Sequence, residues 1–179
     1  MQPTETIRLF DAFLSERGLR FDAVVVGGTI LNLLGIVSRP TKDCDVVSPT
    51  IPPSIAEASR VFARETRARG EALADDWLNN GPISIIDVLP QGWELRLTPA
   101  FNGASLSIRS LGRSDLLLTK LFALCDRGID IGDCIALSPT QTELSQALEW
   151  VERQDANPDW PAHVRRTFAD LSKRIGHGV

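Results

Sequence analysis

The chain has 179 residues, 43% of them hydrophobic and 23% charged, an ordinary balance for one globular domain or for a core with a small helical addition. Its formal net charge of −4 argues against a protein that coats nucleic acid through bulk positive charge. The three cysteines form no CxxC pair, which argues against a disulfide framework or a zinc site. No stretch approaches the roughly 20 apolar residues that span a bilayer, and the first residues lack a signal-peptide pattern. We therefore expect a cytoplasmic protein without membrane attachment.

The first part of the chain is predicted to alternate helices and strands. Apolar residues recur at helical spacing in residues 6–17, and a β-branched run over 22–26 is typical of a buried strand. In chain order we predict a helix over 6–17, a strand over 22–26, a short helix over 29–35, a strand over 43–47, a helix over 53–69, and strands over 83–89, 93–97 and 104–108. This order predicts an α/β core spanning residues 1–110.

From about Arg113 the hydrophobic period becomes helical. Helices are predicted over 115–125, 140–153 and 161–175, and an acidic loop over 126–133 is expected to continue into a helix through Leu137. We interpret residues 111–179 as a C-terminal helical segment packed on the core.

The most informative segment joins the strand over 22–26 to Gly27-Gly28-Thr29. Glycines at a strand–helix junction let backbone N–H groups approach an anion with no Cβ in the way, and a helix N-terminus favours phosphate. Thr29 can donate its hydroxyl or cap the helix. These three residues are candidates for holding the phosphates of a nucleotide, although a Gly-Gly pair is also common in tight turns.

Asp43 and Asp45 are candidate metal ligands. Residues two apart on a strand face the same side, and two carboxylates so close together repel unless a cation neutralises them. A hard cation such as Mg²⁺, or Mn²⁺ in its place, binds one or two carboxylates together with substrate phosphates. Ordinary surface or capping roles are the alternative for either aspartate alone. Cys44, between them, is expected to point to the opposite face as a small buried residue.

Asp87 is the third carboxylate candidate, because it falls inside the apolar run Ile85-Ile86-Asp87-Val88-Leu89, where a lone buried acid needs a partner. It could bind the metal or act as the base that deprotonates an attacking hydroxyl. The alternatives are a salt-bridged structural acid and a residue at an exposed strand edge.

Other charged residues are weaker candidates. Lys120, the only charge within an apolar helical stretch, could contact phosphate, pair with the acidic loop, or extend its amine to solvent. Asp126, Asp130 and Asp133 could serve that loop or cap a helix. Arg39 could steer phosphates toward the aspartates. The arginines of the helix over 53–69 are expected to form a solvated face.

Two motifs together resemble the DNA polymerase β-like nucleotidyltransferase superfamily. The first is Gly27-Gly28-Thr29 followed by Arg39-Pro40-Thr41-Lys42-Asp43-Cys44-Asp45, and the second is Lys120 on an apolar helix followed by Asp130 and Asp133. This version looks most like the AbiEii-type and related uncharacterised bacterial branches. The resemblance covers roughly residues 20–137, and Trp77-Leu78-Asn79 is also familiar from one such branch.

The resemblance implies a nucleotidyltransferase-type mixed β-sheet flanked by helices. It also implies that Asp43, Asp45 and Asp87 carry metal, that Gly28 and Thr29 hold triphosphate, and that Lys120 and Asp130 belong to the active site. The implied reaction moves a nucleoside monophosphate from an NTP to a hydroxyl acceptor. The acceptor could be an RNA end, for example that of a tRNA, or a protein or a small molecule. Relatives include toxins that modify tRNA ends or partner proteins, and enzymes that modify antibiotics, so a toxin silenced by an antitoxin partner is a further option. The alternative is a binding module, antitoxin-like or regulatory, that holds nucleotide or a partner without turnover.

Overall fold

The computed structural model describes residues 1–176, so the last three residues of the predicted helical segment lie outside the described residues. The chain divides into two compact units, residues 1–112 and the residues from Arg113 onward. The first unit contains α1 (Pro3–Glu16), β1 (Phe21–Val26), α2 (Gly27–Leu33), β2 (Cys44–Ser48), α3 (Pro53–Ala68), β3 (Leu78–Asn79), two 3₁₀ helices (Ile83–Asp87 and Trp93–Arg96), β4 (Thr98–Asn102) and β5 (Leu106–Ser110). The second unit contains α4 (Arg113–Arg127), α5 (Ile131–Leu137), α6 (Gln141–Glu152) and α7 (Trp160–Arg174).

One mixed sheet organises the first unit. Its strand order is β3-β2-β1-β5-β4. β1 pairs antiparallel with β2 and parallel with β5, β2 pairs parallel with β3, and β4 pairs antiparallel with β5. Four of the six residues of β1 form a continuous buried run, as expected for a strand covered on both faces. The predicted α/β fold with a mixed sheet and a C-terminal helical segment is confirmed.

An aromatic cluster fills the core between α1, α3 and the segment before β3. The ring of Phe10 lies 5.3 Å from that of Phe62 and 5.1 Å from that of Trp77, and the ring of Phe13 also packs on Phe62. Trp77 is buried and its indole N–H donates to the carbonyl of Ser59 at 3.3 Å, which satisfies the polar group that a buried tryptophan carries. The helical period of residues 6–17 therefore marked a true core face.

The structure corrects the sheet prediction in four places. Residues 83–87 and residues 93–96 each form a 3₁₀ helix where a strand was predicted. The strands β3 and β4 were not predicted. A short apolar run has no periodicity that separates strand from helix, and here neither predicted strand has a partner: the sheet edge beside β2 is taken by β3.

The second unit is entirely helical in its described part. Thr140 caps α6 with a complete capping box, in which its side chain accepts from the N–H of Glu143 and the Glu143 carboxylate accepts from the N–H of Thr140. Arg113 donates to the Glu143 carboxylate at 2.8 Å and to the carbonyl of Leu137 at 2.9 Å. Among the described residues, no helix combines the length and apolar character required to cross a membrane.

Candidate active site

The junction between β1 and α2 carries the first part of the site. β1 ends at Val26 and α2 begins at once with Gly27, two residues earlier than the sequence predicts, with Val26 in the capping position and no side-chain cap. Gly27 has φ +77°, a left-handed conformation that side chains disfavour. The glycine is therefore required by the backbone turn itself.

The carboxylate of Asp45 lies directly against this junction. A Cβ placed on Gly27 would stand 2.5 Å from Oδ2 of Asp45 and 3.5 Å from its Cγ. A contact of 2.5 Å is far inside van der Waals distance, so only glycine lets the carboxylate sit here. The structure thus brings the Gly-Gly motif and the second aspartate together, although 16 residues lie between Gly28 and Asp45 in the sequence.

Gly28 is packed from the other side by the segment that leads into β2. A Cβ there would lie 3.1 Å from Oγ1 of Thr41 and 3.7 Å from Nη2 of Arg39. Asn32 of α2 supports the same segment, because its amide donates to the carbonyls of Val37 and Arg39 at 3.2 and 3.4 Å. Arg39 itself is exposed, with its guanidinium near the junction, and its role in steering phosphates stays a prediction.

Thr29 ties α2 to the start of β2. Its side chain is only 3% exposed, and its hydroxyl donates to the backbone carbonyl of Asp43 at 2.6 Å. It does not cap the helix, so that alternative is wrong. Its hydroxyl hydrogen is committed to Asp43, so in this structure Thr29 fixes the position of the first aspartate. A direct contact between Thr29 and triphosphate stays a prediction.

The two aspartates lie on the outer side of β2. Asp43 is exposed immediately before the strand and Asp45 is half-buried on it, while Cys44 between them is 1% exposed and turned into the core, as predicted. Burial raises the pKa of the Cys44 thiol, and the nearby charges of Asp45 and Asp43 raise it further. A thiol held protonated is a packing residue, which leaves the two carboxylates as the metal-binding candidates.

Asp87 does not occupy the predicted position. It lies at the end of the 3₁₀ helix Ile83–Asp87 and is exposed, so the expectation of a buried acid inside a strand is wrong. Among residues 1–176, no group of three or more His, Cys, Asp or Glu side chains is arranged to hold a metal ion. Asp43, Asp45 and Asp87 therefore do not form a three-carboxylate cluster.

Lys120 and Asp130 lie in the second unit and form a buried ion cluster. The Lys120 ammonium, 5% exposed, contacts Oδ1 of Asp130 at 3.1 Å and Oδ2 of Asp133 at 2.6 Å, and Arg127 pairs with Asp130 at 3.0 Å. Of the three alternatives for Lys120, pairing with the acidic loop is confirmed and extension to solvent is wrong. Asp130 occupies the capping position of α5 without a side-chain cap. A phosphate contact from Lys120 stays a prediction, and these ion pairs give the motif a structural role.

Sequence reasoning assigned no role to Asn79, the last residue of β3, or to Asn80, which follows it. Asn80 donates to the carbonyls of Val46 and Pro49 and accepts from the N–H of Ile51, which fastens β3 to β2. Asn79 is the register partner of Asp45. A two-residue strand is too short to show an alternating pattern, so only the familiar Trp77-Leu78-Asn79 run could have drawn attention to them.

A shallow depression of about 230 Å³, including space open to solvent, lies beside Asp43. Its lining includes Thr29, Thr41, Pro3 and Trp77. Enclosed ligand sites usually measure about 300–1,000 Å³. The depression is therefore smaller than an enclosed ligand site usually is.

The comparisons with known proteins agree with this geometry at the level of the family. No significant match was found among curated proteins or among solved structures. A family profile described as nucleotidyltransferase of unknown function (DUF6036) matches residues 6–150, which include the glycine junction, both aspartates and the buried lysine cluster. The chain belongs to this family of nucleotidyltransferases of unknown function.

Proposed function

We propose that the protein is an Mg²⁺- or Mn²⁺-dependent nucleotidyltransferase that moves a nucleoside monophosphate from an NTP to a hydroxyl acceptor. The observation that carries the proposal is the seating of the Asp45 carboxylate against Gly27, where a Cβ would meet it at 2.5 Å. Glycine adopts a positive φ freely and has no Cβ, so Gly27 leaves room for the carboxylate here, and membership of the family supports a catalytic reason for this arrangement.

Different residues of the first unit would bind the metal and the phosphates. Asp43 and Asp45 would hold the divalent cation. When bound, the cation would neutralise charge on the phosphates and on the leaving pyrophosphate. The backbone of Gly27 and Gly28, with Arg39, would bind the phosphates. The acceptor oxygen then forms a bond to the α-phosphorus, the bond from that phosphorus to the bridging oxygen breaks, and the acceptor proton passes to solvent or to a carboxylate.

The test is transfer of label from each α-³²P NTP to total RNA, protein or small molecules of a lysate, with Mg²⁺ or Mn²⁺. Asp45→Asn keeps the size of the side chain and removes its charge, and we expect transfer to fall about 100-fold or more, the scale seen when one electrostatic contact of a transition state is removed. Asp22→Asn, an exposed carboxylate on β1, is the matched control and should retain activity. Full activity of Asp45→Asn would overturn the proposal.

A binding module is the second candidate, and the position of Asp87 favours it. With Asp87 exposed on a 3₁₀ helix, the two aspartates lack the third carboxylate that the superfamily resemblance implies. A protein that binds NTP in a metal-dependent way yet leaves it intact after long incubation would support this function, antitoxin-like or regulatory, over transfer.

The candidate acceptors are an RNA end, such as that of a tRNA, a protein and a small molecule. The labelled product identifies which of them is used. A toxin of a toxin–antitoxin or phage-defence system is the biological role that we propose to test. Growth arrest on expression of the wild type, absent with Asp45→Asn and relieved by a protein encoded next to it, would support that role. Normal growth with active enzyme would argue for a housekeeping reaction.

A further inference from the structure

The strand β3 places a second polar side chain beside Asp45. β2 and β3 run parallel, with Cys44 opposite Leu78 and Asp45 opposite Asn79. Neighbouring strands lie about 4.7–4.9 Å apart, and side chains in register point to the same face of the sheet. Cys44 and Leu78 are 1% and 9% exposed and form the inner pair. Asp45 and Asn79 therefore form the outer pair.

The side chain of Asn79 is held in place by its own turn. Its Oδ1 accepts from the N–H of Gly81 at 2.7 Å, and its Nδ2 donates to the carbonyl of Asp76 at 3.4 Å. A Cβ on Gly81 would lie 2.8 Å from this same oxygen, so the glycine admits the amide just as Gly27 admits Asp45. The amide of Asn80 donates to backbone carbonyls of the β2 segment and so holds β3 in place.

An amide oxygen has two lone pairs, and the N–H of Gly81 uses one of them. Carboxylate and amide oxygens are both ligands that hard divalent cations accept. Two aspartates already match the double charge of such a cation. An uncharged oxygen beside Asp45 adds a ligand without adding repulsion.

We propose that Asn79 supplies the third protein oxygen of the metal site, the role that was predicted for Asp87. The proposal rests on the function proposed above, because it requires Asp43 and Asp45 to bind a divalent cation. Asn79 then acts as a neutral ligand and not as a base. The strand β3 accordingly supplies no third carboxylate that could deprotonate the acceptor hydroxyl.

The test measures Mn²⁺ alone, with no nucleotide, by the loss of the free-ion signal in electron paramagnetic resonance. Asn79→Ala should weaken Mn²⁺ binding about tenfold, the lower end of the losses seen on removing supporting groups of metal sites. Asn79→Asp keeps an acceptor for the Gly81 N–H and adds charge, so it should fold and bind Mn²⁺ several times more tightly. Asp76→Asn, an exposed charge on the same turn, is the control and should change binding less than twofold.

The outcomes separate this inference from the proposed function. Loss of Mn²⁺ binding in Asp45→Asn together with unchanged binding in both Asn79 variants would overturn the role of Asn79 and leave the metal site intact. If Asn79→Asp raises the affinity for Mn²⁺ by no more than Asp76→Asn lowers it, then the metal responds only to the net charge nearby. That result would also overturn the role of Asn79. Absence of Mn²⁺ binding in the wild type would remove the metal site and both proposals with it.

Discussion

Replacing Gly27 with alanine tests the contact on which the site depends. At φ +77°, a residue with a side chain costs about 1–2 kcal/mol. The new Cβ would also meet Oδ2 of Asp45 at 2.5 Å, with Cγ at 3.5 Å. Turning the carboxylate away from its rotamer costs about 0.5–1.5 kcal/mol. We therefore expect Gly27→Ala to lower the free energy of unfolding by about 2–3 kcal/mol.

Two further variants separate these terms in urea unfolding. Gly35→Ala has the same kind of backbone conformation, φ +70°, with no atom within 4 Å of the new Cβ, so it should cost only the conformational part, about 1–2 kcal/mol. In an Asp45→Ala background the carboxylate is gone, and Gly27→Ala should then cost no more than Gly35→Ala. Equal costs of Gly27→Ala in the wild-type and Asp45→Ala backgrounds would show that the two residues are not coupled and would refute the reasoning.

The other predictions concern the second unit. Lys120→Ala leaves the buried carboxylates of Asp130 and Asp133 without their shared cation, so we expect a loss of about 3–5 kcal/mol in urea unfolding; a loss below 1 kcal/mol, on the scale of a surface ion pair, would contradict the buried cluster. The guanidinium of Arg113 lowers the pKa of Glu143 from 4.5 to about 2, helped by the N–H of Thr140. Since the folded-state pKa is depressed, this stabilisation is complete above about pH 4.5 and is lost as the pH falls toward 2. The difference in unfolding free energy between wild type and Glu143→Gln should shrink over that range, and a constant difference would exclude the linkage.

The helical parts of the fold were predictable because their signals are local. The spacing of Ile7, Phe10 and Phe13 predicted the buried face of α1. The apolar runs after residue 82 contained no such signal. A strand exists only when another strand supplies its hydrogen bonds, and residues 83–87 have no neighbour in the sheet.

The candidate site divides along the same line. Asp43 and Asp45 could be placed on one face from their spacing alone, since alternation along a strand is a local property. The position of Asp87, which was predicted wrongly, and the position of Asn79 both depend on which segment pairs with β2. That choice was made by the packing of Trp77 in the aromatic core and by the hydrogen bonds of Asn80 to the β2 segment, contacts between residues about 30 to 70 positions apart.

By itself the sequence determined an α/β core, a helical second part, and a glycine junction followed by two closely spaced carboxylates. Those features follow from local backbone preference and from the period of hydrophobic residues. Only the tertiary structure decided that Asp45 rests against Gly27, that Lys120 is buried between Asp130 and Asp133, and that Asn79 stands beside Asp45. Each of these is a contact between separate elements, which strand pairing and core packing fix and which no local pattern encodes.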